Sequence, residues 1–260
     1  ITMNFRFSGY GISDIGLTRD GNEDSGLVSS LCIAVADGMG GHAGGEIASK
    51  IAIQKLNSAL TLLENQDLDS ESKSDFFLDL INQIDNQILN QSNLNPELSG
   101  MGTTFTAALL NRNNLELLHI GDSRCYLYRK NKLKQLSYDH TVMQELIDQG
   151  RLTKSEIADH PQRALLTQAL MGNSGIEPVL INYSVKLDDA ILICSDGLTN
   201  VITEAQISEI IKENDDEKIP SMLIEETKSK GAPDNVTAIW ARITEEIKTT
   251  KTQILGSAAI

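Results

Sequence analysis

A chain of 260 residues, 40% of them hydrophobic, can bury a sizeable core as one domain or two small ones. A net charge of −14 excludes a nucleic-acid binder of the usual kind, because displacing counterions from phosphates takes a density of Lys and Arg that this sequence lacks. No apolar run approaches the ~20 residues needed to span a bilayer, and the opening "ITMNFRFSGYGISDIG" has no apolar stretch of the signal-peptide kind, so a soluble, cytoplasmic protein is expected.

In chain order, the apolar run Leu31 to Ala36 predicts a buried strand ending at Asp37. Ile53, Leu56, Leu60 and Leu63 fall at helical spacing, as do Phe77, Leu80, Ile84 and Ile88. Two long amphipathic helices are expected there, with the polar, acidic stretch Glu64–Asp75 as the loop between them. From Thr103 the pattern changes to short strand-like runs, "TTFTAALL", "LELLHIG", "SRCYLYR" and "KLKQLS", separated by "NRNN", "DS" and "KN". Such spacing leaves no room for crossover helices and predicts an antiparallel meander. Helical patterns return over Thr141–Gly150 and Lys154–Met171. "AILICSDGLTN" then reads as a buried strand ending at Asp196, two amphipathic helices follow, and "DNVTAIWARI" reads as a last strand. The stretch from Thr244 onward has weak periodicity and is expected outside the core. Together these elements predict stacked antiparallel sheets covered by helices. Cys32, Cys125 and Cys194 each sit among apolar residues with no CxxC and no His at zinc spacing, as buried small hydrophobes in a reducing compartment do.

The glycine-rich loop after the first buried strand admits two readings. "GMGGHA", Gly38 to Ala43, fits G-x-G-x-x-G/A between a strand and a helix, as a nucleotide site would. Against it, Asp37 would repel a pyrophosphate, and the downstream strands form a meander rather than alternating βαβ units. The second reading makes Asp37 a metal ligand. An Asp at the end of a buried strand is desolvated, so it needs a cation or several donors to stay charged. The pattern recurs at Asp196 in "ILICSDG", at Asp122 in "LLHIGDS", and at Asp234 in "GAPDN" before the last strand. One strand-end Asp is usually a turn former; four make a constellation. All-oxygen ligation selects Mg²⁺ or Mn²⁺ over zinc, and Gly38 leaves its carbonyl free to approach the same ion closely.

The ordered set "GLTRDGNED", "VADGMGGHAGGEIAS", "GTTFTAALL", "HIGDSRCYLYR", "DHT", "ICSDGLTN" and "GAPDNVTAIW" resembles the metal-dependent type 2C serine/threonine protein phosphatases in their bacterial form. The resemblance runs from about Gly9 to Ile243. It implies an α+β fold, an αββα sandwich of two stacked, mainly antiparallel sheets covered by helices, with metals at one edge. By similarity, Asp37 bridges two Mn²⁺ or Mg²⁺ ions, the Gly38 carbonyl binds the second, and Asp196 and Asp234 complete the first. Asp122 helps to hold a third, weaker ion. Glu23 and Asp24 match an acidic pair that holds metal-bound waters or supports the ligands. Arg19 matches a phosphate-binding arginine, whose planar fork suits two phosphate oxygens. His42 matches the histidine that protonates the leaving oxygen, while His119 reads as structural and His140 and His160 are assigned no catalytic part.

The implied activity is hydrolysis of phosphoserine and phosphothreonine esters in proteins by a hydroxide bridging two ions. The alternative is a catalytically weak regulator of the same fold that binds phosphoproteins. The expected partners are phosphoproteins made by a Ser/Thr kinase, with no nucleic acid and no membrane, and the protein is expected to be a monomer. Residues 1–245 are expected to form one catalytic domain with a flap over about 141–175, and 246–260 a flexible tail.

Overall fold

In the computed structural model, the described residues are 5–41, 43–64, 69–153, 156, 160, 162, 165–172, 175–176, 178–245 and 251–259. Their strands form two antiparallel sheets. The first has the order β1 (Arg6–Asp14), β11 (Val236–Thr244), β10 (Ala190–Cys194), β7 (Arg124–Arg129), β8 (Lys132–Gln135). The second has the order β12 (Gln253–Gly256), β2 (Asp24–Val28), β3 (Cys32–Met39), β5 (Phe105–Asn111), β6 (Asn114–Ile120), β9 (Leu180–Ser184), with the short β4 (Gly102–Thr103) paired to the end of β3. Tight links enforce the antiparallel order. Between β7 and β8, Lys130 and Asn131 both have positive φ (51° and 59°), the signature of a type I′ hairpin whose twist matches the strands.

Three apolar layers hold the sandwich. α1 (Gly44–Glu64) and α2 (Ser70–Leu94) set Ile53, Leu56, Phe77, Ile84 and Ile88 against β3 and β5. Val28, Ile33, Val35, Ile191, Ile193 and Ile239 fill the space between the sheets. α5 (Glu204–Glu213) and α6 (Ile219–Ser229) cover the first sheet, setting Ile207 and Leu223 against Trp240 and Leu192. Each such side chain contributes roughly 1.5–3 kcal/mol on leaving water. The two helices expected after Asp196 are therefore present, preceded by a single turn, α4 (Asp196–Thr199). The helix expected over Thr141–Gly150 is α3 (Val142–Asp148), capped by Thr141, whose hydroxyl accepts from Gln144 N. No helix among the described residues is long and apolar enough to cross a membrane.

Three expectations need correction. The loop over Glu64–Asp75 is shorter than its polarity suggests: Asp69 accepts from Ser72 N and starts α2 at Ser70, so polar residues 70–75 are helical. The second helical pattern, Lys154–Met171, lies partly outside the described residues, and its described end is not a helix. There Leu166 bridges to Thr141 and Leu170 to Thr103, so 165–171 runs extended beside the strand ends. Of the stretch 246–260, expected as a flexible tail, the described residues 251–259 instead supply an edge strand: Gln253 to Gly256 pair with Val28 to Ser25. Its anchor is Leu255, which packs into the layer between the sheets and lies directly over the backbones of Gly11 and Gly26.

That anchor is testable. Leu255→Ala removes packing over Gly11 and Gly26 and is expected to cost about 2 kcal/mol, lowering the Tm by roughly 4–8 °C for a chain of this size. A thermal melt with unchanged midpoint would show that the segment does not dock.

Candidate metal centre

All four strand-end acids come to one edge of the sandwich. Asp37 closes β3, Asp122 follows β6, Asp196 follows β10 and Asp234 precedes β11. They line a cleft of about 220 Å³ with Glu23, Arg19, Gly38 and Thr104. Asp24 sits behind the floor of this cleft, opposite Asp37 in the β2–β3 ladder, and only 1% of its surface is exposed. Arg19 stands on the rim and donates to Asp234 Oδ2 at 2.8 Å. His42 lies outside the described residues.

Backbone clamps fix these positions. The Asp37 carbonyl accepts from Thr104 N at 2.9 Å and from Thr103 Oγ1 at 3.0 Å, while Asp37 N donates to Thr104 Oγ1 at 2.9 Å. The Glu23 carbonyl accepts from Gly38 N at 3.1 Å and from Ser49 Oγ at 2.5 Å, tying β2, β3 and α1 together. A Cβ on Gly38 would stand 2.1 Å from the Gly45 carbonyl, so only glycine lets α1 start this close to the strand. Gly197 is under the same constraint, its would-be Cβ 2.0 Å from the Asn235 carbonyl. Asn235 clamps the loop that carries Arg19 and Glu23: its Oδ1 accepts from Glu23 N at 2.8 Å, and its Nδ2 donates to the Ile15 and Gly21 carbonyls at 2.9 Å.

Asp24 joins the two sheets. Its Oδ2 accepts from Ser195 Oγ and Thr237 Oγ1, both at 2.7 Å. Because the Thr237 hydroxyl donates there, the Ser13 hydroxyl 2.8 Å away must donate to Thr237, and Ser13 in turn accepts from Asn22 Nδ2 at 2.9 Å. Asp24 Oδ1 is buried with no partner.

The electrostatics follow from this crowding. Burial raises the Asp37 carboxyl well above the ordinary 3.8, and Asp24, Asp196 and Asp122 push it further. Burial is also the main cause at Asp196, with Asp234 adding to it and Asp37, Asn200 and Arg19 opposing. Asp24 is pushed up to about 7 by burial, against the hydrogen bonds from Thr237 and Ser195. Asp122 reaches about 8 through burial, Asp196 and Asp139, with Arg124 opposing. Glu23 is raised by burial, partly offset by Arg19. Asp37 and Asp196 keep some surface open to the cleft, yet protein hems them in closely enough for burial to dominate.

Do these residues fit divalent cations? Among the described residues no three His, Cys, Asp or Glu side chains already surround a single cation position. Instead the Asp37 and Asp196 carboxyls lie close enough to perturb each other's ionisation. The donor set nevertheless fits. Among the described residues, five carboxylates and one arginine line the cleft, all the candidate ligands are oxygen, and the orphaned Asp24 Oδ1 lacks a donor. Pairs of carboxylates near 4 Å repel by about 4 kcal/mol at an effective dielectric of ~20, and divalent cations relieve this while accepting oxygen ligands.

Sequence reasoning thus marked every carboxylate lining the cleft but missed its supports, Thr103, Thr104, Ser195, Asn235 and Thr237. The available signals were adjacency in "CSDG" and "PDN" and the threonine pair in "GTTF". His119 is engaged at both ring nitrogens, by Thr106 Oγ1 and the Tyr138 carbonyl at 2.8 Å each, and stacks on His140 with centroids 4.9 Å apart.

Comparison with known proteins gives a consistent picture. The family described as protein phosphatase 2C matches residues 22–219. The serine/threonine protein phosphatase PstP of Mycobacterium tuberculosis is 39% identical over 248 residues, which is 94% of this chain but 46% of that protein, so the chain spans about half of it. The serine/threonine phosphatase stp of Listeria monocytogenes is 33% identical over 237 residues, 87% of this chain and 92% of that protein. Among solved structures, the catalytic domain of PstP in complex with two manganese ions superposes with a TM-score of 0.82 at 37% identity, covering 93% of this chain and 100% of that one. Stp1 from Staphylococcus aureus superposes with a TM-score of 0.85 at 29% identity, covering 94% and 98%.

A pH dependence follows for the metal-free protein. Asp24 and Asp122 hold protons up to about 7 and 8 when folded but release them near 3.8 when unfolded. The folded state therefore binds more protons across that window, and stability must fall as pH rises through it. The Tm of chelator-treated protein is expected to drop between pH 5 and 8, and Mn²⁺ to raise it most at the alkaline end. A Tm that climbs with pH and ignores Mn²⁺ would contradict this electrostatic assignment.

Proposed function

The chain belongs to the protein phosphatase 2C family, and we propose that it hydrolyses phosphoserine and phosphothreonine esters in proteins with two tightly held Mn²⁺ or Mg²⁺ ions and a third, weaker one. The observation that carries this reading is the cleft that, among the described residues, five carboxylates and one arginine line. Such a set repels itself unless cations are present.

In this reading Asp37, the Gly38 carbonyl, Asp196 and Asp234 hold the inner pair of ions, and Asp122 the peripheral one. The bound ions supply Lewis acidity, acidifying water towards neutral pH and offsetting phosphoryl charge. The protein's own groups do the rest. Arg19, standing on the rim 2.8 Å from Asp234, swings its fork onto two phosphate oxygens and orients the ester. Glu23 faces the cleft and orients waters there, whereas Asp24, buried behind Asp37 and Asp196, holds those ligands in place through its neighbours Ser195 and Thr237. His42 gives its proton to the departing serine or threonine oxygen, a poor leaving group that gains ~10²–10⁴-fold from a general acid.

The residues fold as one catalytic domain acting as a monomer in the cytoplasm, opposing a Ser/Thr kinase. The three buried, free cysteines suit a reducing compartment. A non-catalytic phosphoprotein binder is the weaker reading, since it has no need of a self-repelling carboxylate cleft.

Chelator should abolish hydrolysis of p-nitrophenyl phosphate and Mn²⁺ should restore it. Asp196→Asn should cost at least about 10³-fold in kcat while keeping the Tm of the metal-free protein equal or higher, because it removes a repelling charge. Undiminished turnover without metal would sink the proposal. His42→Ala should slow a phosphothreonine peptide by ~10²-fold or more and p-nitrophenyl phosphate far less, because nitrophenolate leaves unaided. Equal losses on both substrates would reassign His42 to support of the metals.

A further inference from the structure

Next to the carboxylate cleft lies a second cavity, of about 380 Å³, lined chiefly by Met39, Leu165, Leu166, Ala169, Met171 and Ile176, with no charged side chain among the described residues of its wall. Met39 and Leu166 line both cavities, so the two adjoin. The apolar wall is set before any ligand arrives. Val142 N donates to the Leu165 carbonyl at 3.0 Å and Thr167 N to the His140 carbonyl at 2.9 Å. Farther along, Thr103 and Leu170 exchange two bonds at 2.9 Å. Segment 165–171 is thus pinned at both ends while Leu165 and Met171 remain 48% and 44% exposed. Apolar side chains held open on a fixed wall beside a reaction site are the usual makings of a specificity pocket.

The opposite flank of the cleft is different in chemistry. There Asp122 and Asp196 are shared with a polar cavity of about 470 Å³ containing Arg124, Asp139, Gln135 and Glu204. The fixed apolar wall on the Leu165–Met171 side therefore suits an apolar neighbour of the reacting group, while the other flank presents charge. A protein substrate, unlike a small phosphate ester, carries side chains on both sides of its phosphorylated residue.

We propose that the Leu165–Met171 cavity is a subsite for an apolar side chain flanking the phosphoserine or phosphothreonine of the substrate protein. The proposal rests on the phosphatase reading of the cleft. Its occupant is a leucine-, isoleucine- or phenylalanine-sized residue of the substrate, close in sequence to the phosphorylated one, and it acts on substrate choice rather than on the chemical step. Phosphate esters that lack a flanking residue gain nothing from it.

The test uses the Mn²⁺-loaded protein, p-nitrophenyl phosphate, a phosphothreonine peptide with glycines on both sides, and peptides carrying one leucine at successive positions to either side. The wild type should favour leucine on one side by about tenfold or more in kcat/KM, the scale of discrimination available to an apolar pocket. Leu165→Ser and Met171→Ser should each erase most of that preference, Leu165→Met should keep it, and all three should hydrolyse p-nitrophenyl phosphate and the glycine peptide like the wild type. Equal wild-type rates on glycine and leucine peptides would overturn the subsite and leave the phosphatase reading intact. So would parallel losses of Leu165→Ser on every substrate, or a wild-type dimer that Leu165→Ser dissociates in sedimentation. Turnover of p-nitrophenyl phosphate with none on any phosphopeptide would instead remove the protein-phosphatase reading itself.

Discussion

Like charge crowded onto one edge of a β-sandwich is the constraint around which this structure is organised. Antiparallel pairing brings the ends of β2, β3, β6, β10 and β11 to the same edge, and each end carries an acid. Bringing Asp37, Asp122, Asp196 and Asp234 around one cleft costs several kcal/mol per close pair at an effective dielectric of ~20, which is comparable to the whole net stability of a typical domain. A fold can sustain that only if the strand ends cannot splay apart. Three apolar layers, from α1 and α2 through the inter-sheet layer to α5 and α6, supply the stiffness.

The second requirement is that the two sheets keep their register at that edge, because Asp37 comes from one sheet while Asp196 and Asp234 flank strands of the other. Asp24 meets it. From β2 its carboxylate accepts from Ser195 and Thr237 across the interface, and the Asn22–Ser13–Thr237 chain leaves it no freedom to shift. Burying a carboxylate with one oxygen unpaired is expensive, so its presence here favours a role in positioning ligands over one in stability alone. Asn235 performs the same service for the loop bearing Arg19 and Glu23, and Gly38 and Gly197 permit the backbone approaches on which both depend.

Much of this was readable in the sequence, for a local reason. An apolar run that stops at an acid, as at Asp37, Asp122 and Asp196, marks a desolvated strand end without reference to anything distant. The supports were not readable, because Ser195, Thr237 and Asn235 acquire their meaning from partners 171 to 220 residues away. Two elements misled for the same reason. Leu165, Leu166, Ala169 and Leu170 have helical spacing, but cross-chain bonds to Val142, Thr141 and Thr103 hold their segment extended. Residues 253–256 are too few to show alternation, and what docks them is the space over Gly11 and Gly26, set by a strand at the other end of the chain. The helical layers were legible through Ile53 to Leu63 and Phe77 to Ile88, whose spacing survives intact in α1 and α2.

If the carboxylates are held together for divalent cations, they must exchange protons for metal. Asp122 retains its proton up to about 8, and burial and like charge raise Asp37 and Asp196 as well, so cation entry at neutral pH has to expel protons. Calorimetric titration of the metal-free protein with Mn²⁺ at pH 7, repeated in buffers of different ionisation enthalpy, measures that release directly. The account predicts at least two bound ions, with an observed enthalpy that varies with the buffer in the sense of proton release. Binding without released protons, or no binding at all, would contradict it.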